Sequence, residues 1–246
     1  MSPYPAYEGG HLDHSRIQTQ IDVLNQVYSA NSMPFRFELT SIDYTTNSFW
    51  FQNYGPESPG DVAMRKALRV GGIADLNVDS VGSILSLQGE AFFGLSTFPW
   101  DLRTNSSDPS LFKDGIVLDY TVLPGGRPDL NKGWVLVHEV FHFFGGYHLW
   151  SGGCDTTTGG DEVSDTNPQA EANHGYPMGR HSCSTQYTDM VWNFMDYTDQ
   201  SCGDKSFTPG QVARATAFAK LYRGIGSSMT TLDVSRRRKS GRQKGL

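Results

Sequence analysis

No apolar run in the chain approaches the 18 or so residues of a membrane-spanning helix, so no span is expected. Charged residues are scarce, at 19% against an ordinary value of about 25%. The net charge is only −6 and aromatics make up 12%, which excludes a disordered chain. The 27 Gly and 12 Pro exclude a long coiled coil. The three cysteines contain no CxxC, which excludes a zinc ribbon or a thioredoxin motif. The start, Met1-Ser2-Pro3-Tyr4-Pro5-Ala6-Tyr7-Glu8, has neither a basic nor an apolar stretch, so no signal peptide is visible. Positive charge is thin except at the end, where Arg236, Arg237, Arg238, Lys239, Arg242 and Lys244 cluster. Without these six the balance is 14 positive against 26 negative, or −12, and nucleic-acid binding is not expected.

With 246 residues, one domain or two small ones are expected. Residues 1–14 read as a loose N-terminal segment and 226–246 as a basic, disordered tail, leaving a domain over 15–225. Ile17, Ile21, Leu24 and Tyr28 at helical spacing predict an amphipathic helix over 15–30. Phe35, Phe37 and Leu39 alternate with polar residues, as in a half-buried strand. A helix is expected over 61–69, stopped by Gly71-Gly72. Strands are expected at 74–78, 83–87, 92–97 and 115–120. Asn131 reads as the cap of a helix over 132–144, and Thr208-Pro209-Gly210-Gln211 as the start of another running to about Tyr222. Between Leu149 and Val191 the chain is polar and irregular, which is long for a loop without function or staple. The expectation is an α/β sheet followed by an irregular and helical part.

Residues 138–148 read His-Glu-Val-Phe-His-Phe-Phe-Gly-Gly-Tyr-His. His138 and His142 at i and i+4 share one helix face and can share a metal. Gly145 can adopt positive φ, end the helix and bring His148 round as a third ligand. Three histidines suit Zn(II) with one position left for water, and Glu139 is placed to take that water's proton. A bare H-E-x-x-H occurs by chance in about one per cent or less of chains this long, and the further Gly and His make chance negligible.

The extended motif resembles the metzincin metallopeptidases. Asn193-Phe194-Met195-Asp196-Tyr197 fits their Met-containing turn. The run from Asn193 to Cys202, with Phe207-Thr-Pro-Gly-Gln211, is similar to the pappalysin (cytophagalysin) branch, nearest its secreted fungal extracellular metalloproteases. Val163-Ser-Asp-Thr166, Ala74-Asp-Leu-Asn77 and Thr97-Phe-Pro99 also resemble that subgroup.

The resemblance implies a metzincin-like α/β (α+β) catalytic domain. An upper subdomain to about 145 would hold a twisted, mostly parallel sheet with backing and active-site helices. An irregular lower subdomain, 146–225, would end in a C-terminal helix. The implied activity is that of a secreted zinc endopeptidase acting on proteins or peptides, as a monomer. Met195 would floor the metal, Tyr197 would stabilise the oxyanion, and Gly94, Leu95, Ser96 and Thr97 would pair with extended substrate. Cys154 would pair with Cys183. Tyr176 stands where relatives carry the partner of Cys202, which would be left unpaired. Relatives bind calcium in the loop that here carries Asp155, Asp161, Glu162 and Asp165.

Two departures stand out. Phe141 replaces a usual Gly and is expected to crowd the active-site helix, and Gly146 replaces an apolar residue and is expected to loosen the turn. His11, His14, His174 and His181 read as surface residues. Competing readings are a catalytically silent homologue that binds peptides or proteins, and a zinc hydrolase of non-protein amides. The intact ligands and base favour the protease.

Overall fold

The computed structural model describes residues 10–52, 54–86, 88–102, 109–155, 157, 160–201 and 203–226, and the backbone of 230–234. The first helix, α1 (His14–Ala30), is capped by Asp13, whose carboxylate accepts the Arg16 N–H at 2.9 Å. Its buried stripe of Ile21, Leu24 and Tyr28 follows the helical period. Strand β1 (Phe35–Leu39) turns Phe35 and Phe37 inward and Arg36 and Glu38 outward. Two helices follow, α2 (Ser48–Gln52) and α3 (Pro59–Leu68), the latter capped by Ser58.

The expected strand at 74–78 is instead a turn, and β2 runs over Val78–Val81. Polar side chains there compete with a ladder. Asp75 accepts the Gly72 N–H, and Asn77 bonds both the N–H and the C=O of Val70. The expected strand 83–87 shortens to β3 (Ile84–Leu85), and Leu87 lies outside the described residues. The expected strand 92–97 divides at Phe93 into β4 (Ala91–Phe92), antiparallel to β3, and β5 (Gly94–Ser96). β6 (Ile116–Asp119) joins β2 in parallel and β5 antiparallel, giving a three-stranded sheet with β5 at its edge.

Helix α4 (Trp134–Phe143) packs against α1, β5 and β6. Asn131 is not its cap. Gly133, at φ +74, stands at the N-terminus, and its carbonyl accepts from the Gln20 side chain at 3.0 Å. The positive φ there favours glycine, and a Cβ would also press on the Gln20 amide at 2.9 Å. No helix or strand interrupts the described residues from Leu149 to Val191. Then comes α5 (Pro209–Arg223), with a full capping box between Thr208 and Gln211. Last is β7 (Thr230–Val234), paired in parallel with β1, so part of the expected tail is strand. The basic run after it lies outside the described residues.

One apolar core joins the two halves. Tyr28, Phe37, Val137, Phe141 and Phe144 from the first half meet Met195 and Phe207 from the second. Arg223 ties the end of α5 into it. Its guanidinium bonds Asp114 through two nitrogens at 3.1 Å each and donates to the carbonyls of Phe143 and Ile73. A cavity of about 480 Å³ lies behind the sheet, between α1 and β2, lined by Ile17, Leu39, Val78 and Leu118 among others. The histidine motif does not reach it.

Thr208 carries two jobs at the start of α5. Its hydroxyl accepts the Gln211 N–H and donates to Asp165 at 2.6 Å. Thr208→Ala is expected to lower stability by about 1–2 kcal/mol, read as a urea midpoint shift. An unchanged midpoint would contradict that role.

Candidate active site

Helix α4 carries His138 and His142 on one face, and Gly145, at φ +83, ends it. The chain then reverses and presents His148. The three Nε2 atoms form a near-equilateral triangle, 3.0 Å for His138–His142, 3.0 Å for His138–His148 and 3.1 Å for His142–His148. The far nitrogens decide what those distances mean. His138 Nδ1 donates to the Phe194 carbonyl and His142 Nδ1 to the Gly146 carbonyl, each at 2.7 Å. With Nδ1 protonated, both Nε2 atoms carry lone pairs. Those two lone pairs converge on His148 Nε2 in a donor set that could hold a cation, and three imidazoles suit zinc.

The electrostatics agree. Burial pushes His142 down to about 4. Burial, with the neighbouring His142, pushes His148 down to about 3. His138 is also lowered, by burial first and then by the other two rings. All three are neutral near pH 7. A proton competes for a ligand nitrogen only below that nitrogen's pKa, so a lowered pKa moves metal release to more acid pH. Metal retention is therefore expected to hold at pH 5.5, below the ordinary histidine value of 6.5. Elemental analysis after dialysis would check this, and half-release near 6.5 would contradict it.

Glu139, buried beside His138, is pushed up to about 8 by desolvation. It lies against the edge strand, where a Cβ at Gly94 would come within 2.6 Å of Glu139 Cγ and Oε1. Gly94, Leu95 and Ser96 are half-buried, and Thr97 continues the ladder through its N–H to the Gly115 carbonyl. Tyr197 is 46% exposed, with its ring 5.7 Å from His138 and 5.1 Å from His148. Burial of its phenol, then the Glu139 charge, pushes it up to about 12.

Met195 is fully buried in the turn that follows Asn193. Its N–H donates to Asn193 Oδ1, and Asn193 exchanges side-chain bonds with Gln211 at 2.8 and 3.1 Å. The capping glutamine of α5 thus anchors the turn whose Phe194 carbonyl orients His138.

Phe141 does not crowd the helix. Its ring is buried and stacks on Phe207 at 4.8 Å, in the volume a side chain at position 146 would fill. Gly146 does not loosen the turn, because its N–H donates to the Phe141 carbonyl and its own carbonyl accepts from His142. Cys154 and Cys183 are joined. Cys202 lies outside the described residues, and Tyr176 is exposed. The acidic residues of the loop do not converge. Asp155 holds Thr157, Asp161 holds Val163 and Thr166, Asp165 caps α5, and Glu162 pairs with Arg214. Among the described residues only the three histidines cluster as metal ligands.

Comparison with known proteins decides the family. Residues 118–220 match the peptidase M43 family model described as pregnancy-associated plasma protein-A. An extracellular metalloprotease of Sordaria macrospora is 39% identical over 221 residues, which is 89% of this chain and 72% of that protein. The chain belongs to the pappalysin (M43) family of metzincin metallopeptidases. A Neurospora crassa extracellular metalloprotease is 38% identical, covering 90% of this chain and 73% of that one. Among solved structures, mirolysin in complex with a small compound aligns at TM-score 0.66 and 22% identity, over 89% of this chain and 88% of that one. Mature Tannerella forsythia mirolysin in complex with a cleaved peptide aligns at TM-score 0.64 and 23% identity, over 86% of each chain. These share the metzincin fold. As a pappalysin, the chain is a metalloprotease, and the family implies zinc at the three histidines.

Sequence reasoning missed the two carbonyls that fix the ligand tautomers, because a backbone acceptor leaves no residue signature. It also missed Trp150, which lies flat on His148. An aromatic two positions after a ligand was the available signal.

Proposed function

We propose that this pappalysin is a secreted zinc endopeptidase with His138, His142 and His148 as ligands and Glu139 as general base and acid. The observation carrying this is the triangle of three imidazole nitrogens, with the buried Glu139 next to His138 on the same helix. A bound zinc ion supplies Lewis acidity and lowers the pKa of water to about 7. Glu139, pushed up to about 8 by burial alone, would be held ionised at neutral pH with a cation at the three histidines. Glu139 then takes the proton of the attacking water and returns it to the leaving amine. Burial keeps bulk water from competing for that proton. The Tyr197 phenol, still protonated at neutral pH, donates to the developing oxyanion. Met195 would floor the site, and its burial and its N–H bond to Asn193 hold the turn.

The substrate reading rests on β5. As the sheet's edge strand beside Glu139 it offers backbone groups to an extended peptide, with Gly94, Leu95, Ser96 and Thr97 as the pairing residues. Secretion is supported by relatives named as extracellular. The test is cleavage of a quenched peptide library with and without a chelator. Cleavage lost on chelation and restored by zinc supports the reading. No cleavage by the zinc-loaded chain would favour a silent peptide-binding homologue.

A further inference from the structure

The three ligands are not held alike. His138 and His142 each have a backbone carbonyl on Nδ1. His148 Nδ1 has no hydrogen-bond partner among the described residues, although a ligand imidazole ordinarily has one. What His148 has is Trp150. The indole stacks on it with centroids 4.3 Å apart and planes 7° from parallel. The same indole meets the Tyr197 ring edge-on at 4.7 Å and 72°. One side chain therefore touches the third ligand and the phenol beside it.

The backbone fixes that indole. Leu149, between His148 and Trp150, is buried and donates its N–H toward the Met195 carbonyl. The Trp150 carbonyl accepts the Gly153 N–H in a tight turn, and the Cys154–Cys183 disulfide follows at once. Trp150 itself is half-buried at the rim of the site, so it is not a core residue that stability alone would demand.

We propose that Trp150 is a positioning residue, its flat face orienting the His148 imidazole in place of the carbonyl bond that the other two ligands possess. The proposal rests on the three histidines being the metal ligands. Stacking fixes the plane of the ring but leaves Nδ1 uncommitted, so the third ligand depends on a ring face rather than on a hydrogen bond. By the same contact Trp150 keeps Tyr197 turned toward the ligands.

The test uses the full chain stripped of metal and titrated with Co(II) against a competing chelating dye, with the visible Co(II) spectrum recorded. Trp150→Ala is expected to weaken Co(II) binding about tenfold, as loss of an outer-shell partner does, and to shift the ligand-field bands. Trp150→Phe keeps a flat ring and is expected to bind within about threefold of the unsubstituted chain, with its spectrum. A general loss of packing would not restore the bands with Phe. Unchanged binding and bands in Trp150→Ala would overturn the proposal, as would Trp150→Phe behaving like Trp150→Ala. If the unsubstituted chain takes up no Co(II), the ligand assignment fails, and this proposal with it.

Discussion

Replacing Glu139 by Gln is expected to lower peptide cleavage by a factor of about 10²–10⁴ while leaving zinc binding in place. The substitution keeps size and removes only the ability to take a proton. Glu139 is buried, and its neighbour Gly94 leaves it no slack, since even a methyl at 94 would press on its carboxylate. Gln fits the same space, so the ligands beside it should stay as they are. The measurement is kcat on a peptide cut by the parent chain, with metal content taken from the same samples. A variant that holds zinc and retains near-parental kcat would remove Glu139 from the chemistry. A variant that loses both would point to damage at the ligands instead.

The second large effect concerns the helix that carries the ligands. Phe141→Ala is expected to cost about 3–5 kcal/mol, the range for emptying a buried aromatic site. The ring is fully buried and stacked between Phe207 and the backbone of Gly146. Positions 141 and 146 share one volume, and a Cβ at 146 would overlap the edge of the Phe141 ring at Cε1. Gly146 lies outside the left-handed region, so Gly146→Ala alone should destabilise by overpacking rather than by backbone strain, at about 1–3 kcal/mol. The pair Phe141→Gly with Gly146→Leu restores the large–small arrangement the other way round. It is expected to be more stable than the sum of its single changes by about 0.5–3 kcal/mol, the range of coupling for residues in contact. Simple additivity in urea unfolding would show that the two positions do not share that space.

Those two residues show how far the sequence could be read. Each was visible as a departure from the family pattern, and each alone looked like a defect. Only the packing shows that one offsets the other, because positions five apart around a helix end do not announce that they meet. The ligand set was readable because it rests on local rules: i and i+4 share a helix face, and a glycine can reverse the chain. The start of α5 was readable for the same reason, since a capping box is a four-residue event.

Expectations failed where distant partners decide. Asn131 has the chemistry of a cap, but Gln20, over a hundred residues away, selects Gly133. Val78–Val81 is a strand because β6 pairs with it, while Ala74–Asn77 is claimed by Asp75 and Asn77 side chains. The strand expected over 92–97 breaks at Phe93 because its two parts pair with different partners, β3 and β6. The residues from Thr230 to Val234 became a strand only through β1, which lies nearly two hundred residues earlier. The family resemblance implied calcium in the acidic loop, yet Asp155, Asp161 and Asp165 bond separate partners and do not cluster as metal ligands among the described residues.

Three neutral imidazoles, two of them fixed by carbonyl bonds, are proposed to make one zinc site. Elemental analysis of the purified, folded chain tests it most directly. One zinc per chain is expected, lost on His142→Ala. A folded chain that takes up no zinc at neutral pH would contradict it.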